Sequence, residues 1–117
     1  MRFNKGVVTL GWEHPEMQRA LGVADHVSWA TISREGHITS GREGNHSPNS
    51  LHYWRTTGKH EGSAGAFDLR TWTWHTVPTQ IVGDKRKAYV AALREALGPD
   101  WDVVDEGTHI HCEHDPK

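Results

Sequence analysis

The chain has 117 residues, enough for one domain with a single modest core. Its 13 basic and 15 acidic side chains leave a formal charge of −2, without the basic stripe of a duplex-binding domain, so no nucleic-acid partner is expected. One cysteine, Cys112, rules out an internal disulfide framework, and no run of about 18 apolar residues is present to span a membrane.

In chain order, Met1–Gly6 precedes a short apolar run, Val7–Gly11, that is too brief for a signal-peptide core and lacks a small-residue cleavage site. The expectation is a soluble chain with no export signal, and a short strand at Val7–Leu10. Pro15 and Glu16 suit the first turn of a helix, and Met17, Ala20, Leu21 and Ala24 form its apolar stripe. Val27–Ile32 reads as an extended or turn segment, and Gly36–Ser40 as a strand.

The stretch 41–49 is rich in glycine, asparagine, serine and proline and reads as a loop. Ser50–Trp54 follows, and 55–65 is loop-like again. Strand character resumes at Ala66–Trp72, with Phe67, Leu69 and Thr71 on one face and Ala66, Asp68 and Arg70 on the other. A second helix is predicted from about Asp84, its N-cap, to Leu97. Tyr89, Val90, Leu93 and Leu97 make its buried stripe, and Gly98-Pro99 its stop. Trp101–Val104 begins a strand, and a turn at Glu106-Gly107 leads into a last strand. There His109, His111 and Glu113 share one face and Ile110 and Cys112 the other. Glu113 reads as an exposed partner of this face and His114 as a solvated residue.

Ten histidines and six tryptophans are unusual in a chain of this length. Imidazoles ligate metals and move protons near neutral pH, but one ion takes only a few of them. His52, Asp68 and His111 supply two imidazoles and a carboxylate, a set that suits zinc and leaves a position for water. Glu106 is a carboxylate in reach of that water's proton, and His109 a group to support a developing oxyanion. Two histidines and a carboxylate also describe an iron oxygenase site, but His111-Cys112-Glu113 has no distant histidine after it.

At these residues the sequence resembles the zinc D,D-peptidase family of bacterial cell-wall enzymes and phage lysins, which shares its fold with the Hedgehog signalling domain. Ser50-Leu51-His52-Tyr53 matches the family's Ser-x-His, Ala66-Phe67-Asp68 its Ala-x-Asp, and Glu106 with His109-Ile110-His111 its Glu and His-x-His. Thr39–Gly44 and His111–Pro116 also look like small phage-borne members, and the likeness runs from about Pro15 to Lys117. One feature departs from the family. Fifteen residues, 53 to 67, stand between His52 and Asp68 where the family has a compact link, so about 55–65 reads as an inserted loop. That loop makes His60 a rival to His52, and some branches of the family would make His109 the ligand in place of His111.

The resemblance implies a single α+β domain over 1–117: an antiparallel sheet carries a zinc site on one face, and two main helices pack behind it. It implies a zinc (Zn2+) metallopeptidase hydrolysing peptidoglycan peptide bonds, as a D,D-carboxypeptidase or an endolysin-type endopeptidase. The metal ligands would be His52, Asp68 and His111, the catalytic residues Glu106 and His109, and Arg42 would hold the substrate carboxylate. Tryptophans such as Trp54 and Trp72 would rim the cleft or enter the core. A phage origin is implied as well, with the protein held in the host cytoplasm before release or carried by the virion, and acting at the cell wall. The alternative is a zinc-containing, catalytically inactive binding or virion structural module of the same fold.

Overall fold

The structure, a computed structural model, describes residues 1–7, 9, 12–41, 63–74, 78–80 and 83–116. Strand β1 (Arg2–Phe3) precedes helix α1 (Pro15–Ile32). Then come β2 (His37–Ser40), β3 (Ala66–Arg70), β4 (Trp72–Trp74), β5 (Pro78–Gln80), α2 (Gly83–Leu97), β6 (Trp101–Asp105) and β7 (His109–His114). Five strands form one sheet in the order β1-β2-β3-β7-β6, and β4 pairs with β5 in a separate two-stranded sheet.

The α+β class is as the sequence implies, but the sheet is mixed. β1 and β2 run parallel, and the other pairs antiparallel. The connection explains it, because a helix lies between β1 and β2 and parallel neighbours need such a crossover. Of the expected Val7–Leu10 strand, Val7 and Thr9 lie outside any strand, and Val8 and Leu10 lie outside the described residues.

Helix α1 begins where proline can replace an orphan N–H. Pro15 occupies the first turn, and the side chain of His14 caps it by accepting from Glu16 N at 3.1 Å. The helix does not stop at Ala24. Val27, Ser28 and Ile32 are buried and extend the stripe of Met17, Ala20 and Ala24, so Val27–Ile32 is helical and not extended. The β-branched Val27 and Ile32 lower helix propensity by only tenths of a kcal/mol each, on the order of 0.5. Burying an aliphatic side chain contributes about 1.5–3 kcal/mol and outweighs that deficit. Ser33, in the left-handed region at φ 56, ends the helix.

Helix α2 begins at Gly83, one residue before the expected cap, and places Asp84 in its first turn. It ends at Leu97, and Gly98 terminates it, with a φ of 93 that suits glycine and an N–H that reaches Arg94 O at 3.2 Å.

The two helices pack on each other and on one face of the large sheet. Tyr89, Val90, Leu93 and Leu97 from α2 meet Ile38, Phe67, Leu69, Trp101, Val103, Ile110 and Cys112 from the strands. Phe67 is the centre of an aromatic set, with Trp12 at 6.3 Å and Trp101 at 5.7 Å between ring centroids. Polar links fix the layers. Trp101 Nε1 donates to Glu16 Oε1 at 2.8 Å, and Arg19 joins Glu16 to the last carbonyl of α2, Leu97 O, at 2.7 Å. On the outer strand β6, Arg94 Nε and Nη2 both donate to Val103 O, at 3.1 and 3.0 Å. Among the described residues no helix is long and apolar enough to cross a membrane.

Candidate functional site

Strands β3 and β7 carry the site because alternation sends their apolar residues to the helices and their polar ones to the other face. Phe67 and Leu69 are buried with Ile110 and Cys112, leaving Asp68, His109 and His111 on the opposite side. Register then decides the partners. Asp68 pairs with His111 and Arg70 with His109, so Asp68 faces His111 directly and His109 diagonally.

Asp68 Oδ1 lies 2.8 Å from His111 Nδ1, and Asp68 Oδ2 lies 3.7 Å from His109 Nε2. His109 Nε2 is 3.1 Å from Glu106 Oε2. The Thr108 hydroxyl, 3.0 Å from His109 Nδ1, completes the ring's contacts when it donates there and Nε2 donates to Glu106. Glu113 follows on the same face, with Oε2 3.7 Å from His111 Nε2. Burial works against charge on His111. The hydrogen bond and charge of Asp68, with Glu113 and Glu106, outweigh it and raise the imidazole above its ordinary value.

Glu106 reaches His109 because of the turn between β6 and β7. Glu106 N donates to His109 O at 3.0 Å across a two-residue loop, and Gly107 takes a φ of 88 at its first central position. Positive φ there, with Thr108 N donating to Glu106 O at 3.1 Å, is the pattern of a γ-turn and favours glycine. Asp105 braces the loop by accepting from Gly107 N at 3.1 Å, and Arg86 on α2 clamps Asp105 with two hydrogen bonds. The guanidinium of Arg86 holds the Asp105 carboxyl at about 2, against burial and with help from Gly107 N.

Four of the expected site residues therefore come together: Asp68, Glu106, His109 and His111. His52, its rival His60, and Arg42 lie outside the described residues, as do Trp54 and the side chain of Trp72. No protein family, curated protein or solved structure matches this chain.

His114 corrects the sequence reading. It is buried on the helix-facing side of β7, with Nδ1 accepting from Ala64 N, and is not solvated. A polar pair beside the cluster was also not foreseen. Arg70 Nη1 sits 2.9 Å from His37 Nδ1, and His37 Nε2 contacts Asn4 Oδ1. A guanidinium only donates, so His37 accepts at Nδ1 and carries its proton on Nε2. Burial, then Arg70 and Arg2, lower the pKa of His37, against the opposing charge of Glu35. The alternation of His37 with buried Ile38 was the signal that could have placed it on this face.

The donors fit zinc as part of a set. Asp68 and His111 offer oxygen and nitrogen at one point, joined by a hydrogen bond whose proton a metal would displace. Among the described residues no group of three metal-binding side chains is arranged around one point, and the third donor the sequence implies, His52, is not among those residues.

Proposed function

We propose that the protein is a zinc-dependent peptidase acting on the peptide bonds of bacterial peptidoglycan. The observation that carries this reading is the convergence of Asp68, His111, His109 and Glu106 on one sheet face, joined by contacts of 2.8, 3.1 and 3.7 Å. These are the residues whose order along the chain resembles the zinc D,D-peptidases.

Asp68 and His111, with His52, would hold the metal. Bound there, zinc supplies Lewis acidity toward the scissile carbonyl and lowers the pKa of water. Glu106 Oε2 takes the proton of the attacking water and returns it to the leaving amine. The turn at Gly107 and the Arg86–Asp105 clamp keep that carboxylate beside the cluster. His109, held at Nδ1 by Thr108, presents Nε2 next to Glu106, where it orients the carboxylate and donates toward a developing oxyanion.

The experiment combines metal analysis of the purified protein with release of peptide ends from cell-wall peptidoglycan, beside the Glu106→Ala variant. Zinc near one equivalent, with release that the variant lacks, supports the reading. Zinc without release favours a binding or virion structural module of the same fold. Absence of zinc overturns both.

A further inference from the structure

His114 ends β7 on the face turned away from the Asp68 cluster, and one short piece of chain is fastened to it. Its carbonyl accepts from Ser63 Oγ at 2.5 Å, its Nδ1 accepts from Ala64 N at 2.8 Å, and its N–H donates to Gly65 O at 2.9 Å. Gly65 N donates to Ser63 Oγ at 3.0 Å and braces the clasp. All four bonds are formed by residues 63–65, which lead directly into β3.

The bond from Ala64 fixes the state of the ring. A backbone N–H can only donate, so Nδ1 holds a lone pair, the proton sits on Nε2, and the imidazole is neutral. A second proton, on Nδ1, would set two donors head to head. The surroundings also matter. The Trp101 ring lies tilted against it at 5.3 Å between centroids, and the His14 ring lies at 6.2 Å. Burial lowers the ring most. His14 and Arg19 from the start of α1 also lower it, while Glu16 on α1 and Asp100 before β6 raise it, and the balance is downward.

The clasp adjoins the ladder that builds the site. Ala66 pairs with Glu113, Phe67 with Cys112 and Asp68 with His111. A slip of one residue would turn Asp68 to the helix side.

We infer that His114 is a positioning residue: its neutral ring clamps residues 63–65 at the one register that sets Asp68 opposite His111, and gaining a proton opens the clamp. The inference rests on the fold and is independent of the peptidase reading.

The test uses the full chain labelled with nitrogen-15, with His114→Asn and His114→Phe beside it. Asparagine keeps an acceptor near the position of Nδ1 and does not titrate; phenylalanine keeps the ring shape and has no acceptor. The readout is the protection factor of the Ala64 amide, corrected for intrinsic exchange, from pH 7.5 to 4.5, with cross-strand Overhauser contacts between β3 and β7. In the wild type, protection of Ala64 is expected to fall at least tenfold as the pH drops, with contacts weakening first at the Ala66–Glu113 end. In His114→Asn it stays flat, and in His114→Phe it is low throughout. Flat protection in the wild type, or a tenfold fall in His114→Asn as well, overturns the inference. Should His114→Phe not fold, the comparison of wild type with His114→Asn decides.

Discussion

Asp68 and His111 face each other across the β3–β7 ladder, with Asp68 Oδ1 2.8 Å from His111 Nδ1. The carboxylate is buried, so the contact is both a structural bond and half of the proposed metal set. Asp68→Ala is expected to abolish zinc retention and to cost about 1–3 kcal/mol of stability in the metal-free protein, because it removes the buried carboxylate that His111 Nδ1 contacts. Equilibrium dialysis against zinc and urea unfolding of the metal-free protein measure the two effects. Retention of one equivalent of zinc by the variant would show that this pair is structural only.

Glu106 is assigned to proton transfer and not to holding metal. Glu106→Gln is therefore expected to keep its zinc while peptide release falls by about 100-fold or more, the usual scale for a lost general acid–base. Loss of zinc in this variant would place Glu106 among the ligands instead.

The hairpin offers a subtler lever on the same residue. Gly107 adopts a φ of 88, so Gly107→Ala strains the turn that brings Glu106 to His109. A stability loss of about 1 kcal/mol is expected, with a fall in peptide release at unchanged zinc content. Circular dichroism on melting and the release assay distinguish this from a purely local effect, which would leave release intact.

Two carboxylates give the fold an acid limit. Glu16 is held at about 2, chiefly by its hydrogen bond to Arg19 and, against burial, by Trp101. Asp105 is held at about 2 by Arg86. Unfolded carboxyls titrate near 4, at about 3.9 for Asp and 4.3 for Glu. Both folded values are depressed, so the unfolded chain binds more protons, and the stabilisation is present above pH ~4 and lost as the pH falls toward ~2. Solvent screening limits each pair to about 1 kcal/mol or less. Unfolding free energy measured from pH 5 to 2 is expected to fall less steeply in Glu16→Gln and Asp105→Asn, and slopes equal to the wild type would remove these pairs from the account.

Tyr89 lies in the core, and among the described residues its hydroxyl makes no hydrogen bond of good geometry, although the Ser28 side chain lies close by. Burial pushes its pKa well above the ordinary phenol range. Removing an unpaired buried hydroxyl while keeping the ring recovers its desolvation penalty, so Tyr89→Phe is expected to change stability by between 0 and about +1 kcal/mol. A loss above ~1 kcal/mol in urea unfolding would mean that the hydroxyl has a partner after all.

Much of this architecture was legible from spacing. The stripe Tyr89, Val90, Leu93, Leu97 is the buried face of α2, and the alternation in β7 separates His109 and His111 from Ile110 and Cys112. The same parity places His114 with Ile110 and Cys112, and it was misread because a polar type near a chain end suggests solvent. Val27–Ile32 was misread for the opposite reason: local β-branched character masked a stripe that tertiary burial extends. β1 has only two residues and no period to detect, and its parallel pairing is a product of packing. The site was legible in part. Asp68, Glu106, His109 and His111 share a face by register, whereas the clasp at 63–65 joins residues about fifty positions apart and leaves no local trace.

Arg94 bears on how the molecule behaves among its own copies. The outer rim of a sheet invites a foreign strand, since its outward backbone groups remain hungry for partners. Here the guanidinium already occupies the outward carbonyl at Val103, and the opposite rim, β1, is too short to template growth. Each rim thus carries its own deterrent against fibrous stacking, written into one arginine on one side and into brevity on the other.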